Sequence, residues 1–132
     1  MSKVVARFAD GHTIKGTTID FSPAKDIFHV NVFNASIEEK PVEIFTRDLK
    51  ALFFVKDFMG DPKYVHRNEF NPERPAVGVK IRVEFKDGEV LVGTTTGYDS
   101  KRWGFFISPA DADSNNERCY VVAAATKYIT IL

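Results

Sequence analysis

With 132 residues the chain has room for one domain or two very small ones. Its 18 basic and 18 acidic residues cancel, and the balance holds locally: eight against seven in residues 1–56, seven against seven in 78–132. This excludes a basic domain of the kind that binds nucleic acid through counterion release, and the single cysteine, Cys119, excludes an internal disulfide.

In chain order, Val4, Ala6 and Phe8 alternate with Val5, Arg7 and Ala9, and Asp10-Gly11 then turns the chain. An Asp-Gly pair between alternating runs predicts a hairpin, because it tolerates the positive φ of a tight turn. The return strand, His12 to Phe21, contains Gly16, and a glycine inside a strand marks a bulge or sharp bend. Ser22 to Asp26 breaks it. Strands are predicted at Ile27–Phe33 and Pro41–Thr46, with a polar loop from Asn34 to Lys40 between them. Arg47-Asp48-Leu49 reads as a short turn of 3₁₀ helix before an apolar strand, Lys50–Val55.

The chain then repeats itself. When Phe8 is laid over Phe85 the two ends fall into register without a gap. Phe8-Ala9-Asp10-Gly11 lies over Phe85-Lys86-Asp87-Gly88, and Gly16-Thr17-Thr18 over Gly93-Thr94-Thr95. Phe28 meets Phe105, and Lys50 meets Lys127 at the head of two apolar runs ending at Val55 and Leu132. Such self-similarity sets the architecture: strands at Lys80–Phe85, Glu89–Tyr98, Trp103–Ser108, Arg118–Ala123 and Lys127–Leu132. A unit of about 55 residues buries only roughly 60% of its unfolded surface, so the halves are expected to lean on each other. The predicted organisation is a first small barrel at 1–56, a linker at 57–77 and a second barrel at 78–132. Phe58, Tyr64 and Phe70 make the linker too apolar for a free tether and predict that it packs across the barrels.

This pattern resembles the Sm-like family, whose fold is a five-stranded, strongly bent SH3-like barrel. The resemblance rests on Phe8-x-Asp10-Gly11-x4-Gly16 and Phe85-x-Asp87-Gly88-x4-Gly93, with Gly97-Tyr98-Asp99 similar to the family's strand exit. It covers nearly the whole of each half, and implies an all-β fold of two tandem barrels. The paired layout resembles uncharacterised bacterial tandem-barrel proteins. The family's RNA-binding residues do not carry over. Its loop asparagine aligns with Ile27 and Gly104, and its Arg-Gly turn aligns with Arg47-Asp48 and Ala124-Ala125. An aspartate facing RNA repels phosphate, and two alanines donate nothing.

No catalytic, cofactor or metal-ligating set is read. His12, His29 and His66 fall in a turn, a strand and the linker, without ligand spacing, and Cys119 reads as a buried thiol. Asp10 and Asp87 are explained by their turns, as are Gly11 and Gly88, while Gly16 and Gly93 mark bends. Asp111 to Glu117 lacks the glycine and frame of a calcium-binding loop and reads as a solvated polar loop. The one candidate surface for a ligand or partner is Lys101-Arg102-Trp103, two cations beside an indole on a loop.

The expectation is a non-enzymatic binding or scaffolding module acting through protein contacts, with an RNA-binding Sm-like protein as the alternative. A compact pseudo-dimer of barrels is favoured, with a homodimer through a leftover edge as the further association. Nucleic acid and membrane are not expected as partners. No apolar run of about 18 residues and no signal peptide is read, so a cytoplasmic protein is expected.

Overall fold

The computed structural model describes residues 1–60, 63–64, 67–73 and 77–132. Its ten strands are β1 (Ser2–Phe8), β2 (Thr13–Thr18), β3 (Ile27–Val32), β4 (Val42–Phe45), β5 (Leu49–Val55), β6 (Val79–Phe85), β7 (Val90–Thr95), β8 (Gly104–Pro109), β9 (Asn116–Val122) and β10 (Thr126–Ile131). Single 3₁₀ turns, Thr46–Asp48 and Ala123–Ala125, precede β5 and β10. All pairings are antiparallel. The expected all-β class holds.

The repeat extends to register. Val4 faces Gly16 and Ile81 faces Gly93; Ile27 faces Phe45 and Gly104 faces Val122. Both Asp-Gly turns place glycine at positive φ, 100° at Gly11 and 94° at Gly88, where a side chain is strained. Gly16 and Gly93 serve a different need. A Cβ on Gly16 would lie 2.1 Å from the Asn31 carbonyl oxygen, and one on Gly93 2.1 Å from that of Ser108, so β2 and β7 cross their neighbours where only hydrogen fits. β2 also ends sooner than expected, at Thr18 rather than Phe21. Phe21 turns inward and meets Phe28, Tyr120 and Phe54 at centroid distances of 5.1, 5.2 and 5.8 Å.

The strand order is β10-β6-β7-β8-β9-β5-β1-β2-β3-β4, one open ten-stranded sheet. Among the described residues neither five-strand set is closed by a ladder of its own. Instead β9 of the second half pairs with β5 of the first, from Ala51 opposite Val121 to Phe53 opposite Cys119. β9 begins at Asn116, inside the expected polar loop, because Asn116 pairs with Val55 across this seam.

Alternation along the two seam strands divides the core in two. Ala51, Phe53 and Val55, with Val5, join Ile81, Val83, Phe85, Phe105, Cys119 and Val121 on one face. Leu52 and Phe54 point the other way and join Val4, Phe28, Val30, Ile44, Tyr120 and Val122. Each core therefore contains side chains from both halves. This explains the nearly continuous apolar run of β5: both of its faces are buried, as in a central strand.

Candidate functional site

Lys101, Arg102 and Trp103 lie just before β8 and are all exposed, Trp103 at 43%. The loop is shaped by its own chain: Lys101 N–H donates to Asp99 Oδ1 at 2.9 Å, and Arg102 N–H to the Asp99 carbonyl at 3.0 Å. Gly104, next in the chain, has the Tyr120 ring lying against its Cα, since a Cβ there would sit 2.3 Å from the tyrosine hydroxyl. The loop is thus pinned to β9 at its base while the cations and indole face solvent.

The two aspartates of the Asp-Gly turns differ in their surroundings. Asp10 accepts from the His12 backbone N–H and bonds the His12 ring, which stacks on Phe8 at 3.8 Å; these bonds, the backbone one first, hold its carboxyl below the ordinary value. Asp87 accepts from Lys50 Nζ at 2.7 Å, and that bond comes first in lowering its pKa. Lys50 is almost fully buried, lies 4.7 Å from the Phe85 ring centroid and reaches Glu89 Oε1 at 3.3 Å. Lys50 belongs to the first half and its partners to the second, so the turn carries an ion pair across the seam.

The histidines stay apart in role. His29 bonds Asp20, its ring Nδ1 2.7 Å from Oδ2 and its backbone N–H 2.9 Å from Oδ1. His66 lies outside the described residues. Among the described residues no group of three or more His, Cys, Asp or Glu side chains is placed to hold a metal ion. Cys119 is fully buried, and burial pushes its thiol pKa up, which disfavours the nucleophilic thiolate.

Asp111 departs from the solvated-loop expectation. Its side chain is wholly buried. Burial alone would raise its pKa, but the Tyr64 hydroxyl, the Arg67 backbone N–H at 3.0 Å and the Arg67 guanidinium at 3.3 Å outweigh that and hold it well below the carboxylate range. Asp111 is thereby the anchor that fastens Tyr64 and Arg67 to the second half. Its partners in the connection lie 44 to 47 residues away; its local one, the Asp113 N–H at 3.1 Å, makes an ordinary turn that does not mark burial.

Phe58 fastens the start of the same connection. It packs against the shared core that holds Phe53 and Val55, meets Phe33 at 4.6 Å, and its carbonyl accepts from Lys15 Nζ at 3.2 Å. Between the 67–73 stretch and β7–β8 lies an open cleft of about 750 Å³, bordered by Arg67, Phe70, Thr94, Phe106 and Asp111. Among the described residues that line it the one cation is Arg67, and the protein itself engages that cation through Asp111 and Asp113.

The sheet also has two edges among the described residues. β4 exposes Val42 and Phe45, and β10 exposes Tyr128 and Ile131, with Leu132 beyond it. Among the described residues each has one unpaired side, the arrangement that accepts an added strand. The molecule is thus a tandem-repeat, all-β chain with two open edges. Residues 1–132 match the model of DUF6982, a family of unknown function, and the chain belongs to that family. No curated protein and no solved structure matches it. Among the described residues no helix is long and apolar enough to cross a membrane.

Proposed function

We propose that the protein is a non-enzymatic binding or scaffolding module that acts through protein–protein contacts, built of two tandem Sm-like, SH3-like barrels at 1–56 and 78–132 joined by the packed aromatic linker, and working in the cytoplasm. The observation that carries this reading is the pair of edge strands β4 and β10. Among the described residues both present unpaired backbone donors and acceptors together with exposed apolar side chains. An added strand gains affinity from main-chain hydrogen bonds and selectivity from alternate side chains. The test is retention of proteins from a lysate on the full chain and on Phe45→Lys and Ile131→Lys variants. A partner held by the wild type and lost from an edge variant supports the reading; identical retention by all three overturns it.

Exposure of Lys101, Arg102 and Trp103 favours the second reading, a single-stranded RNA surface. Zero net charge argues against it. The expected result is no submicromolar RNA binding at physiological salt. Binding that disappears on Lys101→Ala with Arg102→Ala would promote the RNA reading.

A further inference from the structure

The repeat leaves a particular surface unfilled. β9 and β5 meet inside the chain, and their counterparts in the repeat, β4 and β10, are the two open edges among the described residues. We propose that the chain binds a second copy of itself head to tail, with β10 of one molecule pairing antiparallel to β4 of the next in the register of the β5–β9 seam. This rests on the protein-contact reading above and names its partner.

Three observations on the internal seam carry over. The first is continuity: added at β4, the β10 of another copy extends the same antiparallel order. The second is register. Ala51 opposite Val121 becomes Tyr128 opposite Ile44, and Phe53 opposite Cys119 becomes Thr130 opposite Val42. Val42, Tyr128 and Ile131 are exposed in the single chain and lie along this line. The outward N–H groups are also available. Leu132 N–H donates inward to the Lys80 carbonyl at 2.9 Å, so by alternation Ile131 and Ile129 present theirs outward.

The third is charge. Inside the chain Lys50 crosses the seam to Asp87 at 2.7 Å, over the Phe85 ring. All three residue types recur at the open ends as Lys127, Asp10 and Phe8. Lys127 is exposed beside its own Tyr128 ring at 5.5 Å, and Asp10 is on an exposed turn, where it also bonds the ring of His12, the residue that stands in the place of Glu89. The repeated junction therefore brings Lys127 of one copy to Asp10 of the next.

The new seam is weaker than the internal one. Val5 and Tyr120 are replaced by Arg82 and Glu43, Arg118 by Pro41, and β4 has four residues against the seven of β9. The association is accordingly reversible and concentration-dependent. It is also heterologous, because each copy offers β10 at one end and β4 at the other.

The experiment uses full chains carrying single substitutions, Val42→Cys and Thr130→Cys. These residues would form a pair without mutual hydrogen bonds, the closer kind across antiparallel strands and within disulfide reach. Mixed and oxidised, the two proteins are expected to give a 42–130 disulfide, read by mass spectrometry of unreduced peptides. Light scattering of the unsubstituted chain is expected to show mass rising with concentration. Lys127→Glu is expected to weaken association about tenfold, and Asp10→Lys added to it to restore it. Disulfides only of the 42–42 or 130–130 kind, or a monomer at every concentration, overturn the proposal. A chain that stays monomeric but retains another protein through its edges overturns self-association and leaves the protein-contact reading standing.

Discussion

β5 and β10 occupy the same place in the repeat, each following a 3₁₀ turn and each pairing with the first strand of its half. All seven residues of β5 are buried, whereas β10 exposes Lys127, Tyr128, Thr130 and Ile131. The backbone environment on one side is the same; the difference is β9, which covers the second side of β5. Burial of a strand here depends on which neighbour the topology supplies. The two sequences follow that difference: Leu52-Phe53-Phe54 stands at the seam and Ile129-Thr130-Ile131 at the edge.

The severest way to break the comparison is to remove the neighbour. Residues 1–56 expressed alone would expose Ala51, Phe53 and Val55 and lack Tyr120 and Val122, so no cooperative thermal transition is expected from circular dichroism. A cooperatively folded fragment would mean that the cores are separable. Next comes substitution at one repeat position in both strands. Phe53→Ala is expected to cost about 3–5 kcal/mol in chemical denaturation, and Thr130→Ala to stay within about 0.5 kcal/mol. Equal effects would remove the asymmetry.

Gly16→Val and Gly93→Val probe where the halves agree. Each forces a Cβ onto a carbonyl oxygen, at Asn31 or Ser108, and each is expected to cost about 1–3 kcal/mol. A neutral result at either position would show that the strands shift apart easily. The smallest effect concerns Asp87→Asn. Asp87 is half exposed, so its pair with Lys50 is expected to contribute about 1 kcal/mol or less. Its folded pKa is lowered, chiefly by the Lys50 bond, so this stability is full above about pH 4 and is lost as pH falls through the folded value. The gap between wild type and variant in denaturation midpoint should therefore close on acidification. A gap that persists unchanged in acid would assign the effect to something other than ionisation.

Much of this fold was legible because it is local. The Asp10-Gly11 and Asp87-Gly88 turns need positive φ, and one constant shift along the chain carries every strand of one half onto the other. The polar stretch at Asn34–Lys40 and the turn at Thr46–Asp48 also follow from neighbours in the chain. Partner choice between distant strands was not legible. The apolar run of β5 shows that both faces need cover, but not which strand of the second half supplies it. The structure supplies β9. Asp111 escaped for the same reason, since its bonds to Tyr64 and Arg67 come from a distant part of the chain. For the surface at Lys101–Trp103 the sequence marked the residue types, while the fastening of its base through Gly104 and Tyr120 needed the packing.

Hydrogen exchange on the full chain at high dilution tests the shared seam most directly. Lys56 N–H donates to the Asn115 carbonyl at 2.9 Å, so by alternation the Phe54 and Leu52 amides also point toward β9. These two are predicted to exchange only through global unfolding, while their counterparts Ile131 and Ile129, on the open side of β10, exchange orders of magnitude faster. Fast exchange at Leu52 and Phe54, matching that at Ile129 and Ile131, would contradict a continuous sheet joined through β5 and β9.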